Sequence, residues 1–201
     1  MIRCILSQEP LQVSAMQTAF KEWTVVVDAL ERGEQILILR KGGIREGKAG
    51  FRVVSDSFWL FPTQFHQQRE AVTNEAQLRY DEIRRGAPDE NVIQVGSLAK
   101  VVEHVEVDDW ERVSRLDRLH IWREEVIKDR FEWGEKQAIF ALVVRLYQLP
   151  AAIEIPMLPK YGGCRSWVEL EPKMPMEGMK PVVDDKRFSE QLQLFHEAIQ
   201  Q

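Results

Sequence analysis

The chain has 201 residues and a formal net charge of −5, with 44% hydrophobic and 29% charged residues. This length and composition suit one domain with its own core and argue against extensive disorder. A negative net charge argues against a general binder of polyanions but leaves room for a local basic patch. No apolar run approaches the roughly 18 residues that cross a bilayer, and the N-terminus turns polar too soon for a secretion signal. We therefore expect a cytoplasmic protein with no membrane partner.

The first half of the chain predicts two helices and two short strands. Apolar residues spaced by three and four predict a helix over 14–32, with Gly33 as its stop. The apolar, partly β-branched run 35–39 predicts a buried strand. A second strand is predicted over 58–61, followed by a helix over 64–85.

The second half predicts longer strands. The valine-rich segment 92–107 indicates one bent strand or a strand pair, and 108–131 a long helix with a bend. Further strands are predicted over 138–149 and 165–170. Residues 171–183 have the proline content of a linker, and a helix with apolar residues on one face follows from about residue 184. That face consists of Phe188, Leu192, Phe195 and Ile199.

The order of these elements lacks a steady βαβ alternation. It favours an α+β fold with a small mixed or barrel-like sheet, flanking helices and a C-terminal helix. We expect one domain over 1–172, then a linker and the C-terminal helix over 173–201. This helix packs either on the body of the domain or on a partner, either a second copy or another protein.

The most basic stretch of the chain is 40–52, which has five cationic side chains, one acidic side chain and four glycines. Glycine lets backbone amides approach an anion closely, and the cations add attraction. The stretch matches neither a Walker loop nor a dinucleotide fingerprint. The alternative is a solvated hairpin with surface charge. The candidate nucleic-acid contacts here are Arg40, Lys41, Gly42, Gly43, Arg45, Lys48 and Arg52.

Aromatic residues cluster next to this stretch. Trp59, Phe61 and His66 lie at a predicted strand-to-helix corner, and Trp167 follows a double glycine. An exposed ring beside the basic stretch could stack on a base. The alternative is that these rings belong to the core.

Groups suited to catalysis are sparse, so no catalytic residue, metal site or cofactor is assigned. Asp28 with Glu46 and Lys48 approximates the spacing of metal-dependent nucleases, while His66 and His120 are the other candidate groups of a hydrolase. His120 and Glu124 would share a helix face.

The two cysteines, Cys4 and Cys164, form neither a disulfide framework nor a zinc pattern. The Gly162-Gly163-Cys164 segment could place a thiol at a turn, where it would need a nearby base to react. The alternative is a tight turn with a buried thiol.

Five separated motifs occur in the order of a known family. They are Phe20-Lys21-Glu22-Trp23, Leu39-Arg40-Lys41-Gly42-Gly43-Ile44, Phe58 to Thr63 with His66-Gln67, Leu119-His120-Ile121-Trp122 and Tyr161 to Trp167. Over about residues 18–172 the chain resembles the bacterial family catalogued as domain of unknown function 1802, frequent in cyanobacteria. Some members carry a restriction nuclease domain of the Mrr type, which implies a link with restriction systems.

The element order and the strand Gly96-Ser97-Leu98-Ala99-Lys100-Val101-Val102 also resemble PUA-like barrels of the ASCH and EVE type. This resemblance implies binding of RNA or of modified DNA bases in an aromatic pocket. We therefore expect a nucleic-acid-binding module, acting on DNA or RNA in a restriction-related setting. A metal-dependent hydrolase or nuclease and a non-catalytic interaction protein remain the alternatives.

Overall fold

A computed structural model describes residues 17–41, 53–64, 68–87 and 89–200. The strands within them are β1 (Thr18–Trp23), β2 (Leu37–Arg40), β3 (Ser57–Thr63), β4 (Val92–Val107), β5 (Ile139–Pro156), β6 (Trp167–Glu169) and β7 (Lys180–Pro181). The helices are α1 (Thr24–Glu31), α2 (Asn74–Arg85), α3 (Trp110–Ser114), α4 (Glu124–Glu132) and α5 (Asp185–Gln200).

The strands form one curled, half-barrel sheet. Its order is β2-β5-β4-β3-β1-β6, and β7 pairs with β5. Strands β1 and β3 run parallel, while the other described pairs are antiparallel. The predicted class is confirmed: an α+β fold with a mixed, barrel-like sheet, flanking helices and a C-terminal helix.

The helix predicted over 14–32 is wrong in its first half. The chain forms β1 up to Trp23, and α1 begins at Thr24. Strand β1 lies between β3 and β6, and pairing with both neighbours outweighs the helical spacing of its side chains. Ala19 and Phe20 point to opposite faces and are both fully buried. A strand buried on both faces lacks the polar alternation that identifies strands in a sequence.

Strands β4 and β5 form a long antiparallel ribbon with two irregularities, one at Gly96 and one between Val101 and Glu103. The register passes from Ser97 opposite Gln148 to Val95 opposite Ile153, so the residues between Gln148 and Ile153 face Gly96 alone. This bulge accommodates Pro150 inside β5, where the sequence predicted that the strand would stop. Of the two predicted alternatives for 92–107, the structure shows a single strand, β4.

The bent helix predicted over 108–131 is instead two helices, α3 and α4. Between them the backbone of His120 is extended, and Trp122 forms an isolated β-bridge with Val72. Because the bridge requires extended backbone at both Val72 and Trp122, α2 begins at Asn74, later than predicted.

Helix α5 packs on the body of the protein. Its buried residues, Phe188, Phe195, Ala198 and Ile199, belong to the main apolar cluster. A second cluster, around Trp59, Phe61 and Tyr161, lies on the other face of the sheet. None of the described helices has the length and hydropathy needed to cross a bilayer.

Replacement of Gly33 by alanine is expected to destabilise the fold by about 2–4 kcal/mol, combining left-handed backbone strain with overpacking. Gly33 has φ +65°, and an added Cβ would lie 2.3 Å from Cγ1 of Val183. Gly134→Ala is the matched control, since Gly134 has φ +83° with nothing within 4 Å of the added Cβ. Urea unfolding measures both, and equal losses would contradict the steric argument.

Candidate functional site

A cleft of about 780 Å³ lies between α1 and the C-terminal part of α2. The ends of β1 and β3, the start of β4 and the Gly162–Cys164 turn complete its wall. This volume falls within the range of about 300–1,000 Å³ that small-ligand sites occupy. The polar and charged wall residues are Lys21, Thr24, Asp28, Glu31, Thr63, Gln64, Arg84, Asp89, Glu90, Gln94 and Cys164.

Lys21 connects β1 to the turn on the opposite side of the cleft. Its Nζ donates hydrogen bonds to the carbonyl oxygens of Tyr161, at 2.8 Å, and Gly163, at 2.9 Å. Gly163 has φ +79°, the left-handed conformation that glycine adopts without strain. Burial lowers the pKa of Lys21. The lysine therefore fixes the turn that carries Cys164, whose thiol is free and exposed.

The two carboxyl groups of α1 that line the cleft have their own partners. Asp28 lies 2.9 Å from Nε of Arg32 and 3.7 Å from Nε of Arg79. Glu31 accepts a hydrogen bond of 2.5 Å from Oγ of Ser97. Burial raises the pKa of Glu31, which favours its uncharged form. Both carboxyl groups of this wall therefore have partners within the protein.

The predicted basic contacts are only partly described. Gly42, Gly43, Arg45, Lys48 and Arg52 lie outside the described residues. Arg40 donates to Oγ of Ser166 at 3.0 Å and lies 3.6 Å from a carboxylate oxygen of Glu22. Lys41 donates to the carbonyl oxygens of Phe131, Lys136 and Ala138. Neither side chain is a free surface cation of the kind that the sequence predicted, because each closes an internal network.

The predicted stacking rings lie mostly inside the protein. Trp59 is 0% exposed and Phe61 1% exposed, so neither offers a face to a base in this structure. Phe61 reaches the floor of the cleft and packs edge-on against Tyr161. Trp167 is partly buried against Phe20 and lines a separate hollow of about 360 Å³. His66 lies outside the described residues.

The candidate catalytic groups do not come together in the described structure. Asp28 lines the cleft, but Glu46 and Lys48 are outside the described residues. His120 is buried, and its backbone is not helical, so it does not share a helix face with Glu124. Over residues 17–41, 53–64, 68–87 and 89–200, no group of three His, Cys, Asp or Glu side chains could hold a metal ion.

Sequence reasoning missed most of the cleft, including Lys21, Thr24 and Glu31. Assigning one helix to 14–32 hid the strand-to-helix junction at which Lys21 and Thr24 approach the cleft. The β-branched run from Thr24 to Val27 is an unusual helix start, but no residue type in it marks a binding site.

Two solved structures are similar to this chain over most of its length. The crystal structure of ASCH from Zymomonas mobilis shares 13% sequence identity, with a TM-score of 0.44, covering 89% of this chain and 94% of that chain. A mutant of the same protein shares 15% identity, with a TM-score of 0.43 and coverage of 87% and 94%. The comparison with curated proteins gives no match. A family model described as Domain of unknown function (DUF1802) matches residues 19–193, and the chain therefore belongs to this family.

Proposed function

We propose that the protein binds nucleic acid by taking a nucleobase into the cleft between α1 and α2. The observation that carries the proposal is the combination of apolar walls with polar groups in a hollow of about 780 Å³. Thr24, Thr63 and Gln94 supply hydroxyl and amide groups, which suit the donor and acceptor pattern of a base edge.

Charge supports a base-centred site over a phosphate channel. Asp28 is already paired with arginines, and Glu31 accepts a hydrogen bond from Ser97, so both carboxyl groups have partners before an uncharged ring enters the cleft. Arg84 is exposed at the wall and makes no hydrogen bond or ion pair with another described residue. It is available to the phosphate beside the bound base, whereas Asp89 and Glu90 disfavour further phosphate contacts.

This distribution of charge predicts weak dependence of affinity on salt. With one or two phosphate contacts, the logarithm of the association constant for a single strand should fall with the logarithm of salt concentration with a slope of about −1. A slope near that of a basic channel would instead favour phosphate contacts by the predicted stretch 40–52.

Gln94→Trp is expected to weaken binding of fluorescein-labelled single-stranded RNA or DNA at least tenfold, measured by fluorescence polarisation. Gln94 is exposed at the wall of the cleft, so the indole fills space there with little effect on the core. Gln193→Trp, at an exposed position of α5 away from the cleft wall, is the matched control. Absence of binding to both nucleic acids, or equal affinities of the two variants, would refute the proposal.

A further inference from the structure

On the face of β1 opposite Lys21, Arg40 faces a buried carboxylate, and a second arginine, Arg130, lies near it. Glu22 is 2% exposed, and one of its oxygens accepts a hydrogen bond from its neighbour Trp23 N at 2.8 Å. Its other oxygen faces Arg40 at 3.6 Å, and Glu22 also attracts the guanidinium of Arg130. The formal charges of Glu22, Arg40 and Arg130 therefore leave one positive charge in excess.

Arg130 is held by aromatic rings. Its Cζ lies 3.9 Å from the ring centroid of Trp122 and 5.4 Å from that of Trp23. The two rings pack edge-on with their centroids 4.7 Å apart. Rings that hold a guanidinium in this way leave its in-plane N–H donors available.

The guanidinium of Arg130 makes no hydrogen bond and no ion pair within the described part of the chain. Burial lowers its pKa to about 10, so it remains charged at neutral pH. An Arg side chain is a donor with no acceptor capacity, and its N–H groups bind best to anionic acceptors. The residue is only partly buried, which leaves a ligand a route to it.

A second polar group without a partner lies nearby. His120 is 8% exposed, and its buried Nδ1 has no hydrogen-bond partner among the described residues. Arg130 packs on the ring of Trp122, two residues along the chain from His120. Burial, with a smaller contribution from the charge of Arg130, lowers the pKa of His120. An acceptor placed between them could take hydrogen bonds from both, because a neutral imidazole can carry its proton on Nδ1.

We propose that Arg130 and Arg40, assisted by His120, bind a phosphate group at this point of the half-barrel. A phosphate supplies the missing acceptor oxygens, matches the guanidinium fork and neutralises the excess charge. Glu22 acts as a positioning residue that holds the two arginines together while the site is empty. The site lies across the sheet from the cleft and does not depend on the base binding proposed there.

Calorimetric titration with inorganic phosphate tests the proposal, with chloride adjusted to keep ionic strength constant. We expect saturable binding by the wild type and at least tenfold weaker binding by Arg130→Gln. Arg112→Gln is the control, since Arg112 is exposed on α3. Arg130→Lys keeps the charge without the planar fork and should also bind weakly. Unchanged affinity in Arg130→Gln, or no effect of phosphate beyond that of chloride, would overturn the site.

Nuclear magnetic resonance of the wild type gives an answer even where a variant does not fold. Phosphate should shift the indole N–H signals of Trp23 and Trp122, and unchanged signals at saturating phosphate would reject the site. Competition by 5′-phosphorylated oligonucleotides, but not by 5′-hydroxyl ones, would assign the group to a nucleic-acid end. Lack of competition would assign it to free phosphate, and both outcomes retain the oxyanion site. Gln94→Trp should leave phosphate binding unchanged, so failure at the cleft and failure here are distinguishable.

Discussion

Phe195→Ala is expected to lower the free energy of unfolding by about 3–5 kcal/mol, the usual effect of removing a large ring from a filled core. Phe195 is 0% exposed and belongs to the same cluster as Leu37 and Val143 of the sheet. The ring therefore attaches α5 to the body of the protein and leaves a cavity when it is removed. Chemical denaturation, followed by circular dichroism, measures the change.

Leu194→Ala is the control for this prediction. Leu194 precedes Phe195 on the same helix but is 50% exposed, so its truncation should change stability by about 0.5 kcal/mol or less. The pair also tests the interaction-protein alternative. If α5 mainly served a second copy, Leu194→Ala would change the molecular mass in solution, and Phe195→Ala would have little effect on the stability of the monomer.

Protonation of His120 alone is expected to lower the free energy of unfolding by about 3 kcal/mol as the pH decreases from 6.5 to about 4. Burial lowers the pKa of His120 from 6.5 to about 4 in the folded chain. Above pH 6.5 the imidazole is neutral in both states, and its full contribution to stability is present. Between the two values the unfolded chain binds a proton that the folded chain does not bind, so folding becomes less favourable.

The measurement is the difference between the pH profiles of unfolding free energy for the wild type and His120→Asn. Asparagine does not titrate, so the variant should lose this component and show a flatter profile over the same range. Other acidic groups titrate there too, and subtraction removes their shared contribution. Parallel profiles of the two proteins would show that His120 is not buried in its neutral form.

Elements with a strong local pattern were predictable from the sequence. The valine-rich sequence of β4 predicts a strand, and the spacing of Phe188, Phe195 and Ile199 predicts the buried face of α5. The structure shows both. Strand β1 was not predictable because both of its faces are covered, and its apolar residues match a helical period equally well. The bridge between Val72 and Trp122 depends on residues distant in sequence, so no local window contains its signal.

The sites were less accessible to sequence reasoning than the fold. A sequence shows that Arg40 and Lys41 are charged, but it does not show that Ser166 and the carbonyl of Phe131 face them. Trp59 is similar, since a large ring at a strand end is equally compatible with stacking and with burial until the covering elements are known. The function of Lys21 depends on a hydrogen bond to the carbonyl oxygen of Tyr161, which is distant in sequence, so no local pattern predicts it.

The register of strand β1 positions two separate sites at once, the cleft on the side of Lys21 and the arginine pair on the side of Glu22. Neighbouring side chains of a strand point in opposite directions, so Lys21 meets the carbonyls of Tyr161 and Gly163 while Glu22 meets the arginines. Deleting one residue ahead of Lys21 would exchange these directions, sending an amine toward guanidinium groups and a carboxylate toward carbonyl oxygens. Both arrangements would then be repulsive at once. Length changes should therefore not be tolerated inside this strand.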